Sequence, residues 1–322
     1  MAKGRVKWVI SGLFVLLLAF LSLSYLHAYA FTHPTSNPAF KIEREGMHLT
    51  FPNLLKATFL GIRPIRHIAD KNPGEVGLSY ENVTFTSTDN LMLKGWFIPS
   101  AKQKGTIVLV HGYNGNRGSL DMADYFHRAG YAILLFDFRG HGESEGDLIS
   151  FGYYESRDVI GAVNYLKQRG DVDMSRVYGL GQSMGSVALV YAERQQPSFR
   201  GLVLESLFTD FYENSARRFE SVYGFPKFPF ATSVTFFGGI ILHIDGFSFS
   251  PLNEISEINT PVYLIHDALD ETIRTEDAQK LFDSANEPKE LWISQAEHAN
   301  AYDAQREEYQ KKILLFLKEN KD

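Results

Sequence analysis

The sequence contains no cysteine. Disulfide bonds, cysteine-ligated zinc and a cysteine nucleophile are therefore all excluded. Beyond its N-terminus the sequence also has no lysine- and arginine-rich run, and its net charge is −6. A protein that binds nucleic acid needs a basic face to neutralise phosphates, so we expect no such partner. The 322 residues, 44% of them hydrophobic and 22% charged, are ordinary for a globular protein.

Charge is also missing from a long segment near the N-terminus. No Asp, Glu, Lys or Arg occurs between Trp8 and Phe40, and an apolar run extends from Trp8 to about Leu26. As a helix this run would reach about 30 Å, the thickness of the hydrocarbon core of a bilayer. Three basic residues precede the run: Lys3, Arg5 and Lys7. Because basic residues stay on the cytoplasmic side, residues 1–31 are predicted to be a single-pass membrane anchor with the rest of the chain outside the cytoplasm.

A cleaved signal peptide is the main alternative for this segment. Ala28-Tyr29-Ala30 has the small-residue pattern of a cleavage site. The apolar run, however, exceeds the usual signal-peptide core of about 7–15 residues. Cleavage would give a secreted protein, so both interpretations export the rest of the chain. A buried helix of a soluble domain is a third interpretation, but a helix without charge on any face is hard to accommodate in a core of this size.

Residues 32–78 are predicted to connect the anchor to the main domain. Residues 31–37, followed by Pro38, are polar and lie next to proline, which is typical of a stiff spacer. Residues 47–68, which begin at Met47, are apolar without clear periodicity and are interrupted by two prolines. We expect this stretch either to pack on the domain or to lie against the membrane surface.

From Tyr80 onward, apolar runs and amphipathic segments alternate. Two runs at 81–86 and 91–99 flank Thr88-Asp89-Asn90 and predict an antiparallel hairpin. Six short apolar runs predict strands buried on both faces: 106–110, 132–136, 177–180, 202–204, 262–265 and 290–293. Five segments predict helices: 120–128, 155–168, 184–194, 276–284 and 301–318. The alternation predicts an α/β domain over residues 79–322, with a mostly parallel, doubly wound sheet and a leading antiparallel hairpin.

One interval interrupts this alternation. Residues 208–258 separate two predicted strands and are far longer than an ordinary crossover. The interval is rich in phenylalanine and contains Gly238-Gly239. Because the preceding strand should end at the edge of the sheet where α/β sites assemble, we interpret the interval as a small lid. Its aromatic residues are expected either to line an apolar acyl pocket or to pack the lid onto the domain.

A nucleophile candidate lies between a predicted strand and a predicted helix. Gly181-Gln182-Ser183-Met184-Gly185 has the pattern G-x-S-x-G in the context that this pattern requires. A serine hydroxyl reacts only when it is exposed, oriented and deprotonated by a neighbour, and a tight strand-to-helix turn exposes it. The pattern therefore predicts that Ser183 is a catalytic nucleophile.

Partners for Ser183 are expected after other strands. His111-Gly112-Tyr113 follows the strand at 106–110, and the backbone N–H groups of Tyr113 and Met184 are predicted to form an oxyanion hole. Asp267 and Asp270 both lie just past the strand at 262–265, so either can be the catalytic acid. His298 follows the strand at 290–293 and is predicted to be the base. His111 is interpreted as structural.

Four motifs of the sequence belong together: HGYNGN at 111–116, DFRGHGES at 137–144, GQSMG at 181–185 and HDALDETI at 266–273. With them the sequence resembles the α/β-hydrolase superfamily, in particular a branch of membrane-anchored bacterial hydrolases similar to monoacylglycerol lipases and abhydrolase-domain proteins. The resemblance covers nearly all of residues 80–318. It implies that the acid is the fifth residue of the last motif, Asp270 rather than Asp267.

The resemblance has further implications for individual residues. Asp137, Arg139 and His141 belong to a motif that shapes a loop near the site, so they are expected to be structural. Three departures from the family pattern affect loops: Asp267 stands where glycine is usual, Arg274 stands near a usual proline, and Gln295-Ala296-Glu297 precedes the histidine without a glycine. None of them removes a catalytic group.

The residues and the resemblance predict a serine hydrolase that cleaves a carboxylic ester through an acyl-enzyme intermediate. The expected substrate is a small-molecule or lipid-like ester, and no metal or organic cofactor is implied. The same triad also serves peptidases, thioesterases and acyltransferases, and a non-catalytic binding protein that kept the fold is a further alternative. The oligomeric state is left open.

Overall fold

The computed structural model describes residues 2–37, 40, 44–45 and 48–320. Pro38 of the predicted spacer and Met47 at the start of the apolar stretch lie outside the described residues. The chain divides into two compact units. The larger unit comprises residues 65–210 and the chain from residue 250 onward, and the smaller unit comprises the chain up to residue 64 together with 211–249. The domain boundaries at 31 and 78, and the lid at 208–258, remain predictions.

The larger unit contains a mixed sheet. In the described chain the sheet has eight strands: β3 (Glu81–Thr86), β4 (Met92–Ile98), β5 (Thr106–Val110), β6 (Ala132–Phe136), β7 (Val177–Gln182), β8 (Gly201–Glu205), β9 (Val262–Asp267) and β10 (Lys289–Ser294). Their spatial order is β10-β9-β8-β7-β5-β6-β4-β3. Strand β4 is antiparallel to both of its neighbours, and the other pairs are parallel. The predicted fold class, a mostly parallel sheet with a leading antiparallel hairpin, is confirmed.

In the larger unit, helices alternate with most of the strands along the sequence. The helices of this unit are α3 (Leu120–Ala129), α4 (Glu155–Gln168), α5 (Met184–Gln195), α8 (Pro251–Ile255), α9 (Thr275–Ser284), α10 (Ala301–Ala304) and α11 (Arg306–Glu319), with 3₁₀ turns at Pro73–Val76 and Met174–Arg176. The single helix predicted at 301–318 is wrong, because Gln305 interrupts it with a non-helical backbone. The Gln305 side chain instead accepts the N–H of Gln295, 2.6 Å away, and so ties the break to the end of β10.

The strands at the centre of the sheet are buried, and both edge strands, β3 and β10, have exposed positions. Strands β5, β6, β8 and β9 are buried at every position, which agrees with apolar runs covered on both faces. In β10, by contrast, Glu290 is exposed and Leu291 and Ile293 are half-buried. The prediction of a strand buried on both faces is therefore wrong for β10, because β10 lies at the end of the sheet and pairs only with β9 in the described chain.

The described part of the smaller unit is mainly helical and also contains a pair of two-residue strands. Its elements are α1 (Ala2–Thr32), β1 (Arg44–Glu45), β2 (His48–Leu49), α2 (Phe51–Leu60), α6 (Phe211–Tyr223), a π-helical turn at Lys227–Ala231 and α7 (Thr232–Leu242). Helix α1 is long and apolar enough from Arg5 to Thr32 to cross a membrane. The segments Phe211–Tyr223 and Lys227–Leu242 meet at a bend of 114° and together pass the same test. Neither α6 nor α7 was predicted from the sequence.

Candidate active site

Ser183 lies in a sharp turn between β7 and α5. Its backbone has φ 51° and ψ −114°, a combination that a residue with a side chain rarely adopts. The turn is held by the Ser183 N–H, which donates to the carbonyl of Glu205 on β8 at 2.8 Å. A Cβ atom on Gly185 would lie 2.7 Å from the Val110 carbonyl oxygen, so only glycine lets α5 begin this close to β5. The strand-turn-helix context predicted for Ser183 is therefore present.

Ser183, His298 and Asp270 form a hydrogen-bonded chain. The Oγ of Ser183 is 2.9 Å from Nε2 of His298, and Nδ1 of His298 is 2.5 Å from Oδ2 of Asp270. A carboxylate can only accept, so Nδ1 carries the proton and Nε2 is free to accept the Ser183 hydroxyl proton. The three residues follow β7, β9 and β10, which are parallel, so their side chains meet at the carboxyl edge of the sheet.

The Asp270 carboxylate is held in its ionised form. Its side chain is buried, while that of His298 is 30% exposed. The second oxygen, Oδ1, accepts the N–H groups of Thr272 at 2.8 Å and Ile273 at 3.0 Å. Burial alone would raise the pKa of Asp270, but the hydrogen bonds from His298 and from these two N–H groups outweigh burial and hold the pKa below its usual range. Asp270 can therefore remain a negative partner for a protonated His298.

Asp267, the other acid candidate, is bound elsewhere. It is fully buried, and one carboxylate oxygen accepts the N–H of Ala299 at 2.8 Å and the hydroxyl of Ser206 at 2.7 Å. The other oxygen accepts the hydroxyl of Ser294. Ala299 follows His298 directly and has a positive φ of 53°. Asp267 therefore fixes the backbone of the loop that carries His298 and has no hydrogen bond to the imidazole.

The two predicted oxyanion donors flank the nucleophile in different ways. Met184 is the first residue of α5, where backbone N–H groups have no acceptor within the helix. Tyr113 lies in the loop after β5, and its ring stacks on that of Phe151 at 5.0 Å. A Cβ atom on Gly112 would lie 3.4 Å from the Ser183 Cβ, so this loop passes directly beside the nucleophile. The loop and the helix start are thus both positioned next to Ser183.

The family-motif residues expected to be structural make structural contacts. His111 is buried, with Nδ1 2.8 Å from the Gly112 carbonyl oxygen, and its Nε2 accepts the N–H of Phe138 at 3.1 Å. Burial lowers the pKa of His111, which agrees with a neutral ring in this position. Arg139 forms a buried ion pair with Asp158 at 2.7 Å. His111 therefore connects the loop after β5 to the loop after β6, and Arg139 connects the loop after β6 to α4.

Sequence reasoning missed Glu205 and Gln182. Glu205 ends β8 and is fully buried; it accepts the side-chain N–H of Gln182 at 3.0 Å and the backbone N–H of Ala301 at 2.9 Å. Burial, followed by the nearby negative charge of Asp267, raises the pKa of Glu205 to about 8. A carboxylate at the end of an all-apolar strand, at the edge where sites assemble, is the signal that could have revealed Glu205.

A cavity of about 450 Å³ opens beside these residues in the larger unit. Its lining includes Gln182 and Ala299, which adjoin the candidate nucleophile and the histidine in the sequence. Polar side chains dominate the rest of the lining, among them Asn116, Ser119 and Asn300. The cavity can therefore hold a polar part of a small molecule. Within the described ranges no group of three or more His, Asp or Glu side chains is placed to hold a metal ion.

Known proteins resemble this chain in sequence and in fold. Residues 101–223 match the Hydrolase_4 family, described as serine aminopeptidase, S33. The chain is 31% identical over 230 residues to the uncharacterized protein YqkD of Bacillus subtilis, covering 70% of this chain and 75% of YqkD. It is 28% identical over 259 residues to the uncharacterized protein YfhR of Escherichia coli O157:H7, covering 77% of this chain and 84% of YfhR.

A solved structure of the Pyrococcus furiosus esterase Pf2001 has a TM-score of 0.70 and 26% identity, covering 80% of this chain and 97% of the esterase. The chain belongs to the α/β-hydrolase superfamily. The predicted resemblance to this superfamily is thus confirmed, and the chain is a hydrolase by family, while the branch of membrane-anchored hydrolases stays a prediction. The Hydrolase_4 match includes Ser183 and the loop at Tyr113 but ends before Asp270 and His298.

Proposed function

We propose that this α/β-hydrolase cleaves carboxylic esters, with Ser183 as nucleophile, His298 as general base and Asp270 as the acid that orients His298. The observation that carries the proposal is the hydrogen-bonded chain of the three side chains, with 2.9 Å between Ser183 and His298 and 2.5 Å between His298 and Asp270. Nucleophile, base and orienting acid within hydrogen-bond reach are the signature of an activated serine.

The acylation step uses all three residues. His298 Nε2 takes the Ser183 proton while Oγ forms a bond to the ester carbonyl carbon, and the carbonyl oxygen becomes an oxyanion. Asp270 stabilises the resulting imidazolium, because the pKa of Asp270 is held low and its carboxylate stays negatively charged. The N–H groups of Tyr113 and Met184 are proposed to donate to the oxyanion. His298 then gives its proton to the leaving alkoxide as the carbon–oxygen bond breaks, and the alcohol departs.

Deacylation repeats the same steps with water. His298 removes a proton from a water molecule, whose oxygen attacks the acyl carbon. The tetrahedral intermediate collapses, Ser183 regains its proton from His298, and the carboxylic acid leaves. Every proton taken up is returned, so these side chains complete the cycle between them.

We also propose that α1 holds the enzyme in a membrane, with the hydrolase unit on the side opposite the basic N-terminus. The helix is long and apolar enough to span, and the side chains at positions 5 to 19 are exposed. Exposed apolar side chains such as Trp8, Leu13 and Leu16 are costly in water and favourable in hydrocarbon. A membrane location favours a lipid-like ester as substrate, and a signal peptide removed after export is the alternative.

A substrate panel tests the proposed chemistry. Purified enzyme is assayed on p-nitrophenyl esters of graded acyl length and on matched aminoacyl p-nitroanilides. We expect turnover of esters far above that of amides, and a loss of about 10⁴-fold or more in kcat for Ser183→Ala. Ser284→Ala, outside the site, is the matched control and should keep wild-type turnover. Faster cleavage of amides than of esters would indicate a peptidase, which is the activity in the description of the matched family, instead of an esterase.

A further inference from the structure

We propose that the insertion formed by α6, the turn at Lys227–Ala231 and α7 enters the bilayer beside α1 through this turn and α7, with Phe236 and Ile240 in contact with lipid acyl chains. Hereafter these residues, 211–242, are called the insertion hairpin. The proposal rests on the proposed membrane-spanning role of α1 and adds a second membrane element within the same compact unit.

The insertion hairpin packs on the C-terminal half of α1. The ring of Phe230 lies edge-on to Phe20 at 5.4 Å, and that of Phe237 lies edge-on to Tyr25 at 5.8 Å. Further along α1, the rings of Tyr223 and His27 are 5.4 Å apart. Correspondingly, α1 is exposed at positions 5 to 19 and becomes half-buried or buried at many positions from Phe20 onward.

These contacts place Phe230 and Phe237 within the depth of the hydrocarbon. If the core begins at Trp8, after the last basic residue, Phe20 lies about 18 Å into a core about 30 Å thick. Tyr25 lies about 25 Å in, still inside the core. A tilt of α1 shortens its rise along the membrane normal and so leaves both residues inside. Phe230 and Phe237, which contact them, therefore reach into the leaflet distal to the basic N-terminus.

The outward side of α7 is suited to lipid. Phe236 and Ile240 are one helical turn apart and are 54% and 52% exposed, while Phe237 on the adjacent face contacts α1. Between Gly224 and Leu242 the sequence has one charged residue, Lys227. An exposed apolar face without charge is unfavourable in water, and here it is continuous with the apolar surface of a membrane span.

Two serine hydroxyls and one lysine ammonium group in this region have partners. Ser24 and Ser233 are joined by a hydrogen bond of 2.8 Å between α1 and α7, and each hydroxyl also lies 2.9 Å from a carbonyl oxygen of its own helix segment. Small hydroxyl residues that hydrogen-bond across a contact are typical of helix pairs in membranes. The Lys227 ammonium pairs with Glu213 and lies 4.6 Å from the ring centroid of Tyr212. A paired charge is the form tolerated near hydrocarbon.

The absence of cysteine makes a direct test possible. Single-cysteine variants of the full chain, Phe236→Cys and Ile240→Cys, are labelled with the fluorophore NBD and reconstituted into phosphatidylcholine vesicles with and without doxyl-labelled phosphatidylcholine. Leu16→Cys reports on the α1 span, and Lys102→Cys, exposed on the larger unit, is the aqueous control. Both hairpin side chains are more than half exposed, so labelling should leave the packing of the protein intact. Circular dichroism checks that each labelled protein is folded. If one variant fails to fold, the other position still tests the proposal.

We expect doxyl lipid to quench the label at positions 236 and 240 to a fraction similar to that at Leu16, with no quenching at Lys102. Quenching at Leu16 without quenching at either hairpin position would overturn the inference and leave α1 as an anchor. The same result would be found if the hairpin covered the active site or a second copy of the chain. No quenching at Leu16 would overturn both the anchor and the inference. Hydrolysis by the larger unit is measured separately and depends on neither outcome.

Discussion

Asp270 and Asp267 lie three residues apart and hold different parts of the loop that carries His298. Asp270 contacts the imidazole itself, whereas Asp267 holds the backbone N–H of Ala299, the next residue. In the proposed mechanism the first contact fixes the imidazole tautomer and balances its charge, and the second sets the loop geometry. The two substitutions should therefore have separable effects.

We predict that Asp270→Asn lowers kcat by about 10³–10⁴-fold, because an amide at this position favours the wrong tautomer of His298. Asp267→Asn should cost at least about tenfold less, since the amide oxygen can still accept the Ala299 N–H. Steady-state kinetics with a soluble ester measures both variants. The opposite ranking would transfer the acid role to Asp267.

Spacing in the sequence could not separate these aspartates. Both follow the same buried strand, and only their backbone turns decide which carboxylate faces the next strand end. The resemblance to a family motif favoured Asp270, and the hydrogen bonds give a physical reason. The strained turn at Ser183 and the order of serine, aspartate and histidine were accessible, because local motifs and strand ends encode them. The role of Glu205 could not be predicted from the sequence, because it depends on neighbours from three separate segments of the chain.

At the scale of elements, Glu205 joins β8 to β7 and to the start of α10. Its raised pKa has a defined consequence for stability. Between the usual carboxyl value of about 4.5 and the folded value of about 8, the unfolded chain loses the proton while the folded chain retains it. The free energy of unfolding therefore falls as pH rises through this window, by up to about 1.4 kcal/mol per pH unit, and the contribution levels off above it.

We predict that Glu205→Gln weakens this pH dependence. Its melting temperature should fall less than that of the wild type between pH 5 and pH 8, although the loss of one acceptor lowers stability at every pH. Differential scanning calorimetry in detergent measures both proteins. Glu276→Gln, at an exposed position of α9, is the matched control. Parallel curves for Glu205→Gln and the wild type would show that Glu205 is ionised throughout this range.

At the scale of the whole molecule, the sequence predicted the sheet better than the smaller unit. Short apolar runs in the sequence indicate buried strands, and β5 and β6 have the predicted bounds. The helices α6 and α7 were not predicted, because they lie within an aromatic-rich interval that was interpreted only as a lid. Their contacts with α1 join residues about two hundred positions apart, such as Ser24 and Ser233, and no local pattern encodes such a contact.

The central claim is that Ser183 is an activated nucleophile in the intact chain. Its most direct test is covalent labelling of the purified protein with a fluorophosphonate, followed by mass spectrometry of the digested protein. We predict a single phosphonylated residue, Ser183, and strongly reduced labelling of His298→Ala, because the hydroxyl then lacks its base. Labelling at another residue, or none in folded wild-type protein, would contradict the account.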